Sequence, residues 1–134
     1  MIALDTNVLV RFLVNDDKKQ ADVAKKIIKE AELSKQPLFV TTLVVLELIW
    51  VLDAVYAVER EDIIGAISNL ILMPALYFEK QSTLRHFINS ANHSTFDLSD
   101  LLIALSAVEL ACDTTLTFDK KASKFEFFQK IEVD

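Results

Sequence analysis

Short apolar segments alternate with longer stretches of helical periodicity along the whole chain, and few architectures accommodate that order. Apolar segments with the length of buried strands occupy residues 2–4, 38–40, 75–78, 114–118 and 131–133. The stretches between them carry helical patterns, and one glycine and two prolines offer few interruptions. Short strands separated by helices predict an α/β fold with a parallel sheet and helices on both faces.

The length and composition of the chain predict one domain without membrane attachment. Its 134 residues match a single domain, and no linker, repeat or low-complexity segment divides them. The longest uncharged run, residues 63–78, is shorter than the ~20 apolar residues that a membrane-spanning helix requires. The single cysteine, Cys112, cannot form an intramolecular disulfide, and the first residues do not resemble a signal peptide. We therefore expect a cytoplasmic protein that folds as one domain over residues 1–134.

Two aspartates directly follow predicted strands. Asp5 comes after the first strand, and Asp119 comes after the segment 114–118. In parallel α/β sheets, ligands bind outside the carboxyl ends of the strands. Both carboxylates are therefore predicted to lie at the edge where such folds carry out chemistry, although each could instead cap the helical turn that follows it.

Glu47 lies in the sequence LVVLELIWVL, part of a helix predicted over about residues 42–58 and apolar on nearly every side. A carboxylate in such surroundings loses hydration, which is costly unless the group is paired or bound to a cation. No lysine or arginine occurs between Lys35 and Arg60, so no local partner exists. We therefore expect a functional role for Glu47. The alternative is that it faces solvent or pairs with a distant base.

Two further aspartates begin the apolar helix predicted over residues 97–111. Asp97 is placed to cap the helix and Asp100 lies in its first turn, where the helix dipole favours a negative charge. Capping explains Asp97 well, and it is compatible with Asp100 also projecting into a cleft. Carboxylates that converge repel one another and need a cation to remain ionised. Oxygen ligands without a cysteine or a histidine pair favour Mg²⁺ or Mn²⁺ over zinc.

Four blocks of the chain resemble, in order, those of PIN-domain nucleases. They are the run DTNVL at residues 5–9, the apolar helix that carries Glu47, residues 97–104 and residues 115–119. The resemblance covers essentially the whole chain. Its compact size is most similar to the VapC toxins of bacterial and archaeal toxin–antitoxin pairs.

The resemblance implies a three-layer α/β/α sandwich with a central parallel sheet. It implies an acidic pocket for Mg²⁺ or Mn²⁺, and it implies endonucleolytic cleavage of RNA, homodimerisation and inhibition by a small antitoxin protein. The pocket residues would be Asp5, Glu47, Asp100 and Asp119. Asp5 and Asp100 are the expected direct ligands, with the other two completing the shell or orienting the attacking water. Auxiliary roles are expected of Asp97, Thr6, Asn7, Thr115 and Thr117.

The net charge of −6 argues mildly against nucleic-acid binding, because phosphate contacts usually require a basic surface. The positive charges are unevenly distributed, however, and some of them lie close in sequence to the acidic blocks. The candidates for contacting an RNA backbone are Arg11, Lys120, Lys121 and Lys124.

Two other interpretations remain open. A degenerate PIN domain could act as a non-catalytic module that binds RNA or protein, although all four acids are present. A phosphatase of the haloacid-dehalogenase type also carries an aspartate after its first strand. It requires a second aspartate two residues later, where this sequence has Asn7.

Overall fold

The computed structural model describes residues 1–134 and has the predicted α/β architecture with parallel strands. The chain divides into two compact units, Met1–Gln81 and Ser82–Asp134. The first unit contains β1 (Ile2–Ala3), α1 (Thr6–Leu13), α2 (Lys18–Ser34), β2 (Leu38–Val40), α3 (Thr42–Ala54), α4 (Arg60–Ile71) and β3 (Leu76–Phe78). The second contains α5 (Gln81–Asn92, which begins at the last residue of the first unit), α6 (Leu98–Glu109), β4 (Thr115–Thr117), a 3-10 helix (Ala122–Lys124) and β5 (Phe128–Lys130).

The first unit is built on a parallel sheet with the strand order β1-β2-β3. Ile2 lies opposite Leu38, and Leu38 in turn lies opposite Leu76. Because the strands are parallel, their carboxyl ends meet at one edge, just before Asp5 and Glu79. The prediction that the first strand is buried was wrong, since Ile2 is 70% exposed. The reason is that β1 is the end strand of this sheet and pairs only with β2.

The helices α1 and α2 pack against each other because α2 presents small side chains on its inner face. Ala21 and Ala24 of α2 are buried, as are Leu9 and Val10 of α1. Alanine at these positions allows two helix backbones to approach closely, so the larger side chains of α1 fill the space between them. This packing holds the start of α1, and therefore Asp5, against the rest of the unit.

Several helices end in left-handed backbone conformations that do not use glycine. Lys35, Ala57 and Ala111 have φ angles of 57°, 51° and 63°, and they follow α2, α3 and α6. Glycine is the usual residue at such positions because it has no Cβ to clash. The only glycine here, Gly65, lies inside α4 instead. The ends of α3 and α6, predicted near residues 58 and 111, therefore carried no sequence signal, and both helices are shorter.

The second unit contains a two-stranded parallel sheet in which Thr115 lies opposite Phe128. The last strand was predicted at residues 131–133 and is found at Phe128–Lys130. The apolar residues 131–133 indicated the wrong segment. The strand that pairs with β4 is determined by backbone hydrogen bonds, which an apolar pattern does not reveal. The backbone N–H of Thr115 donates to the carbonyl of Phe127, and that of Ile131 donates to Thr117. None of the helices combines the length and apolar character needed to cross a membrane.

Candidate active site

An open cleft of about 320 Å³ in the first unit brings Asp5 and Glu47 together, with walls from α1 and α3. Asp5 caps α1, and its Oδ1 accepts a hydrogen bond from the backbone N–H of Thr6 at 2.8 Å. One carboxylate oxygen thus holds the helix start, which fixes the direction of the group. The other oxygen has no hydrogen-bond partner within the chain and remains available to a ligand.

Glu47 reaches this cleft from the solvent-facing side of α3. The helix buries Leu48 and Ile49, whereas Glu47 is exposed and makes no hydrogen bond or ion pair. The expectation that an apolar helix would dehydrate this carboxylate was therefore wrong, and the solvent-facing alternative is correct. Trp50, which is 59% exposed, shows why, since apolar residues also cover the outer face and conceal the amphipathic pattern. The case for Glu47 now rests on its proximity to Asp5.

Two side chains hold the first turn of α3, the helix that also carries Glu47 further along. The Oγ1 of Thr41 accepts a hydrogen bond from the backbone N–H of Val44 at 3.3 Å. Glu79, which follows β3, accepts one from the backbone N–H of Thr42 at 3.0 Å. These bonds tie the start of the helix to the carboxyl edge of the sheet. Nothing in the local sequence singles out Glu79, because its partner lies 37 residues away.

Arg11 lines the same cleft and belongs to a side-chain network. Its Nη1 donates to Asp16 Oδ1 at 2.9 Å and to the Tyr56 hydroxyl at 3.2 Å, and its Nε donates to Gln20. The Tyr56 hydroxyl donates to the other oxygen of Asp16 at 2.9 Å. The hydrogen bond from Tyr56 and the charge of Arg11 lower the pKa of Asp16. Asp16 therefore stays ionised and partly balances the charge of Arg11, which leaves less of it for an incoming phosphate.

The two residues after Asp5 differ in their surroundings. Thr6 is buried, and its Oγ1 has no hydrogen-bond partner in the structure. Asn7 is exposed and lines the cleft beside Asp5. A buried hydroxyl without a partner is unusual in a folded protein. Thr6 and Asn7 thus line the same cleft as Asp5, and their auxiliary roles stay a prediction.

A second cleft, of about 640 Å³, lies in the second unit and contains three carboxylates. Asp97 caps α6, and its Oδ1 accepts a hydrogen bond from the backbone N–H of Asp100 at 3.0 Å. Asp119 also lines this cleft, as do the side chains of Lys121 and Lys124. Asp97 thus has the capping position that its place in the sequence predicted. The lining of this cleft therefore contains three carboxylates and two lysine ammonium groups.

Backbone groups orient Asp119 at the end of β4. Its Oδ1 accepts hydrogen bonds from the N–H groups of Lys121 and Ala122, at 2.8 and 3.3 Å. Its own N–H donates to the Oγ1 of Thr117 at 3.0 Å. Thr117 therefore holds the backbone of Asp119 through its hydroxyl oxygen. The hydroxyl of Thr115, the other threonine named for this role, makes no hydrogen bond in the structure.

The environment of Asp100 disfavours its ionised form. Partial burial raises the pKa of its carboxyl group, and the neighbouring charges of Asp97 and Asp119 raise it further. Because the folded-state pKa lies above the unfolded value of about 3.9, ionised Asp100 destabilises the folded protein. This penalty is fully present above the folded-state pKa, and it disappears as pH falls through that value towards the unfolded one.

Replacing Asp100 by asparagine should stabilise the metal-free protein at neutral pH. The neutral amide keeps the size of the side chain but removes the repulsion from Asp97 and Asp119. We expect the melting temperature in EDTA at pH 7 to rise by a few degrees. The gain should shrink as the pH falls through the folded-state pKa of Asp100, because the wild-type carboxyl then becomes neutral as well.

Asp62 provides a matched control for this substitution, because it occupies the same third position of α4 that Asp100 occupies in α6. Replacing Asp62 by asparagine removes the same favourable interaction with a helix dipole at an exposed position outside the second cleft, where the nearby carboxylates are Glu59 and Glu61 of its own helix start. It should leave the melting temperature unchanged or slightly lower. A melting temperature for D100N that lies below wild type at pH 7, or a gain that grows on acidification, would contradict the assignment.

The structure therefore gathers the predicted acids in two places. Asp5 and Glu47 share one cleft, and Asp97, Asp100 and Asp119 share the other. No group of three or more His, Cys, Asp or Glu side chains lies in an arrangement that could hold a metal ion.

The predicted cations are also divided. Lys121 and Lys124 line the second cleft, and Arg11 lines the first. Lys120 is exposed but is not part of either lining. Asp16 and Tyr56 are additions that the sequence did not indicate, since Tyr56 lies 40 residues from its aspartate partner.

Comparison with known proteins gives two matches that extend over most of the chain. The family model for the PIN domain matches residues 2–128. A curated relative, the VapC ribonuclease of Aquifex aeolicus (strain VF5), is 25% identical over 127 residues. That alignment covers 95% of this chain and 93% of the relative. The PIN-domain match extends across both units and spans the positions of all four predicted pocket residues.

Proposed function

We propose that this chain, which belongs to the PIN-domain family, is an endoribonuclease that uses Mg²⁺ or Mn²⁺. The observation that carries the proposal is that the four carboxylates named by the family resemblance all keep oxygens without a partner in the chain. Asp5 and Asp119 use only Oδ1 in hydrogen bonds to the backbone, and the carboxylates of Glu47 and Asp100 make none. The VapC ribonuclease matched by the chain supports RNA as the substrate.

The chemistry of the available donors fits a hard divalent cation. The ionisable ligands in both clefts are carboxylates, with no cysteine or histidine among the lining residues. We propose that Asp5, Glu47, Asp100 and Asp119 hold the cation or cations. A bound Mg²⁺ or Mn²⁺ would offset the negative charge of the scissile phosphate and lower the pKa of water.

The chain's own residues would orient the ligands and handle the proton. The backbone N–H bonds to Asp5 and Asp119 fix the directions of these carboxylates before substrate arrives. A carboxylate oxygen of Glu47 or Asp119 would orient the attacking water and accept its proton. Lys121, Lys124, Lys120 and Arg11 are the proposed contacts to the RNA backbone, with Asp97, Thr6, Asn7, Thr117 and Thr115 in auxiliary roles.

We extend the proposal to partners on the basis of the VapC resemblance. The chain would form a homodimer and be inhibited by a small antitoxin protein. The exposed apolar side chains of α3, Leu43 and Trp50, support contact with another protein surface, since they are 77% and 59% exposed. Sedimentation of the chain alone at micromolar concentration tests the dimer, and a monomer would contradict it. A small open reading frame next to the gene would support the antitoxin.

Two alternatives are disfavoured. A degenerate, non-catalytic PIN domain would be expected to lack one or more of the acids, and all four are present. A haloacid-dehalogenase-type phosphatase is disfavoured by membership of the PIN family and by Asn7 in place of its second aspartate.

The direct test is an RNA cleavage assay with and without divalent cations. We expect the purified chain to cleave single-stranded RNA internally in Mn²⁺ or Mg²⁺, and excess EDTA to stop the reaction. Adding back Mn²⁺ should restore it. Undiminished cleavage in EDTA would refute metal dependence, and binding of RNA without cleavage in any cation would favour the non-catalytic alternative.

A further inference from the structure

An aromatic wall stands beside the carboxylates of the second cleft. Phe96 and Phe128 both line this cleft, and both rings are partly exposed. Behind them lies Phe125, which is only 8% exposed. The ring centroid of Phe125 lies 4.6 Å from that of Phe96 and 6.4 Å from that of Phe128. One buried ring thus supports two others that face the cleft.

The two rings that line the cleft belong to a cluster of phenylalanines centred on Phe125. Phe127 also packs against Phe125, with ring centroids 5.0 Å apart and planes nearly perpendicular. These contacts restrict the rotamers of Phe96 and Phe128. An aromatic side chain whose rotamers are already restricted loses little entropy when it binds a ligand.

The charged side chains that line the same cleft as these rings are suited to contact with a nucleotide. Lys121 and Lys124 line the same cleft and can contact phosphate oxygens. The carboxylates of Asp97, Asp100 and Asp119 are negatively charged, so they repel phosphate unless a cation is bound. Two partly exposed aromatic rings, two ammonium groups and three carboxylates therefore line one cavity of about 640 Å³.

We propose that the second cleft contains a nucleobase subsite in which one unpaired base stacks on Phe128, with the ring of Phe96 lining the same cleft. This inference rests on the proposed function, since it takes RNA as the ligand. Lys121 and Lys124 would contact the phosphates of the stacked nucleotide. In a duplex both faces of a base are covered by its neighbours, so only an unpaired base can use such a wall. The substrate class is therefore RNA that is single-stranded at this position, with modest dependence on base identity.

The test measures stacking directly, with a short single-stranded RNA that contains one 2-aminopurine. The fluorescence of this base falls when it stacks on an aromatic ring. Titrations would be run in Ca²⁺, with a gel confirming that the RNA is intact afterwards. We expect wild type to quench the probe. Phe128→Ala should lose most of the quenching and bind about tenfold more weakly, whereas Phe128→Tyr should retain both.

Phe118→Ala is the matched protein control, because Phe118 is 68% exposed in the same unit but does not line the cleft. It should behave as wild type. An RNA-side control avoids any effect of a substitution on folding. Replacing the probe nucleotide by an abasic one should weaken binding to wild type about as much as Phe128→Ala does, and a hairpin that pairs the probe should bind poorly.

The outcomes separate this inference from the proposed function. Equal affinity for intact and abasic RNA, or quenching that survives Phe128→Ala, would overturn the subsite even if the chain cleaves RNA normally. Quenching that depends on Phe128 in a protein that cleaves nothing would support the subsite and refute the nuclease proposal. Preference for a phenylalanine-containing peptide over the RNA would overturn the subsite in favour of a protein ligand.

Discussion

Replacing Asp5 by asparagine should reduce RNA cleavage by about a hundredfold or more while the protein remains folded. The asparagine Oδ1 can still accept the hydrogen bond from the Thr6 N–H, and asparagine caps helices as well as aspartate does. What is lost is the negative charge and the second carboxylate oxygen. Removing even an indirect partner of a bound metal costs about 10–100-fold, so a proposed direct ligand should cost at least as much. Initial rates of cleavage in saturating Mn²⁺ measure the effect.

Asp17→Asn is the matched control for this change. Asp17 caps α2 as Asp5 caps α1, and its Oδ1 accepts a hydrogen bond from the N–H of Gln20 at 3.0 Å. It lies outside both clefts, so its substitution should leave cleavage unchanged. Mn²⁺ should raise the melting temperature of wild type and D17N more than that of D5N. Wild-type cleavage rates in D5N would refute the role of Asp5.

Replacing Phe87 by alanine should lower the free energy of unfolding by about 3–5 kcal/mol. Phe87 lies on α5 in the second unit and is 0% exposed, so the truncation leaves a cavity that its neighbours cannot fully close. Since small proteins have total stabilities of about 5–15 kcal/mol, the loss is a large fraction of the whole. Urea denaturation followed by circular dichroism measures it, with Phe118→Ala as a surface control expected to have little effect.

The same variant tests the prediction that residues 1–134 form one domain. Trp50, the single tryptophan, lies in the first unit and reports on that unit by fluorescence. If the chain unfolds as one cooperative domain, Phe87→Ala should move the fluorescence transition to lower urea as far as the circular dichroism transition. A fluorescence midpoint that stays at its wild-type value would show that the units unfold independently, and the one-domain prediction would then be wrong.

The sequence predicted the order of strands and helices because each element carries its own periodicity and needs no distant partner to be recognised. It also placed Asp5 and Asp119 at the carboxyl ends of strands, where the structure has them, and the chemistry of parallel sheets concentrates there. The capping position of Asp97 followed from local helix chemistry and was confirmed. Glu47 was singled out for a wrong reason, because sidedness cannot be read from a helix whose two faces are both largely apolar.

Structural features that depend on residues far apart in the chain left no recognisable pattern in the sequence. The last strand lies at Phe128–Lys130 because its register is selected by pairing with β4, and the ends of α3 and α6 use alanine where glycine would have marked them. The bonds from Asp16 to Tyr56 and from Thr42 to Glu79 join residues 40 and 37 positions apart. Such contacts form only when the fold has brought the partners together.

The sequence by itself determined which residues carry charge, which turns they cap, and which strands they follow, because these depend on neighbours within about one helical turn. The tertiary structure alone decided the surroundings of those charges. It exposed Glu47 in the cleft that contains Asp5, gave Asp100 the partial burial and the two neighbouring carboxylates that raise its pKa, and made Phe128 part of the lining of that acidic cleft. The physical reason is that burial, repulsion and ring packing depend on distances through space, which the order of residues along the chain does not contain.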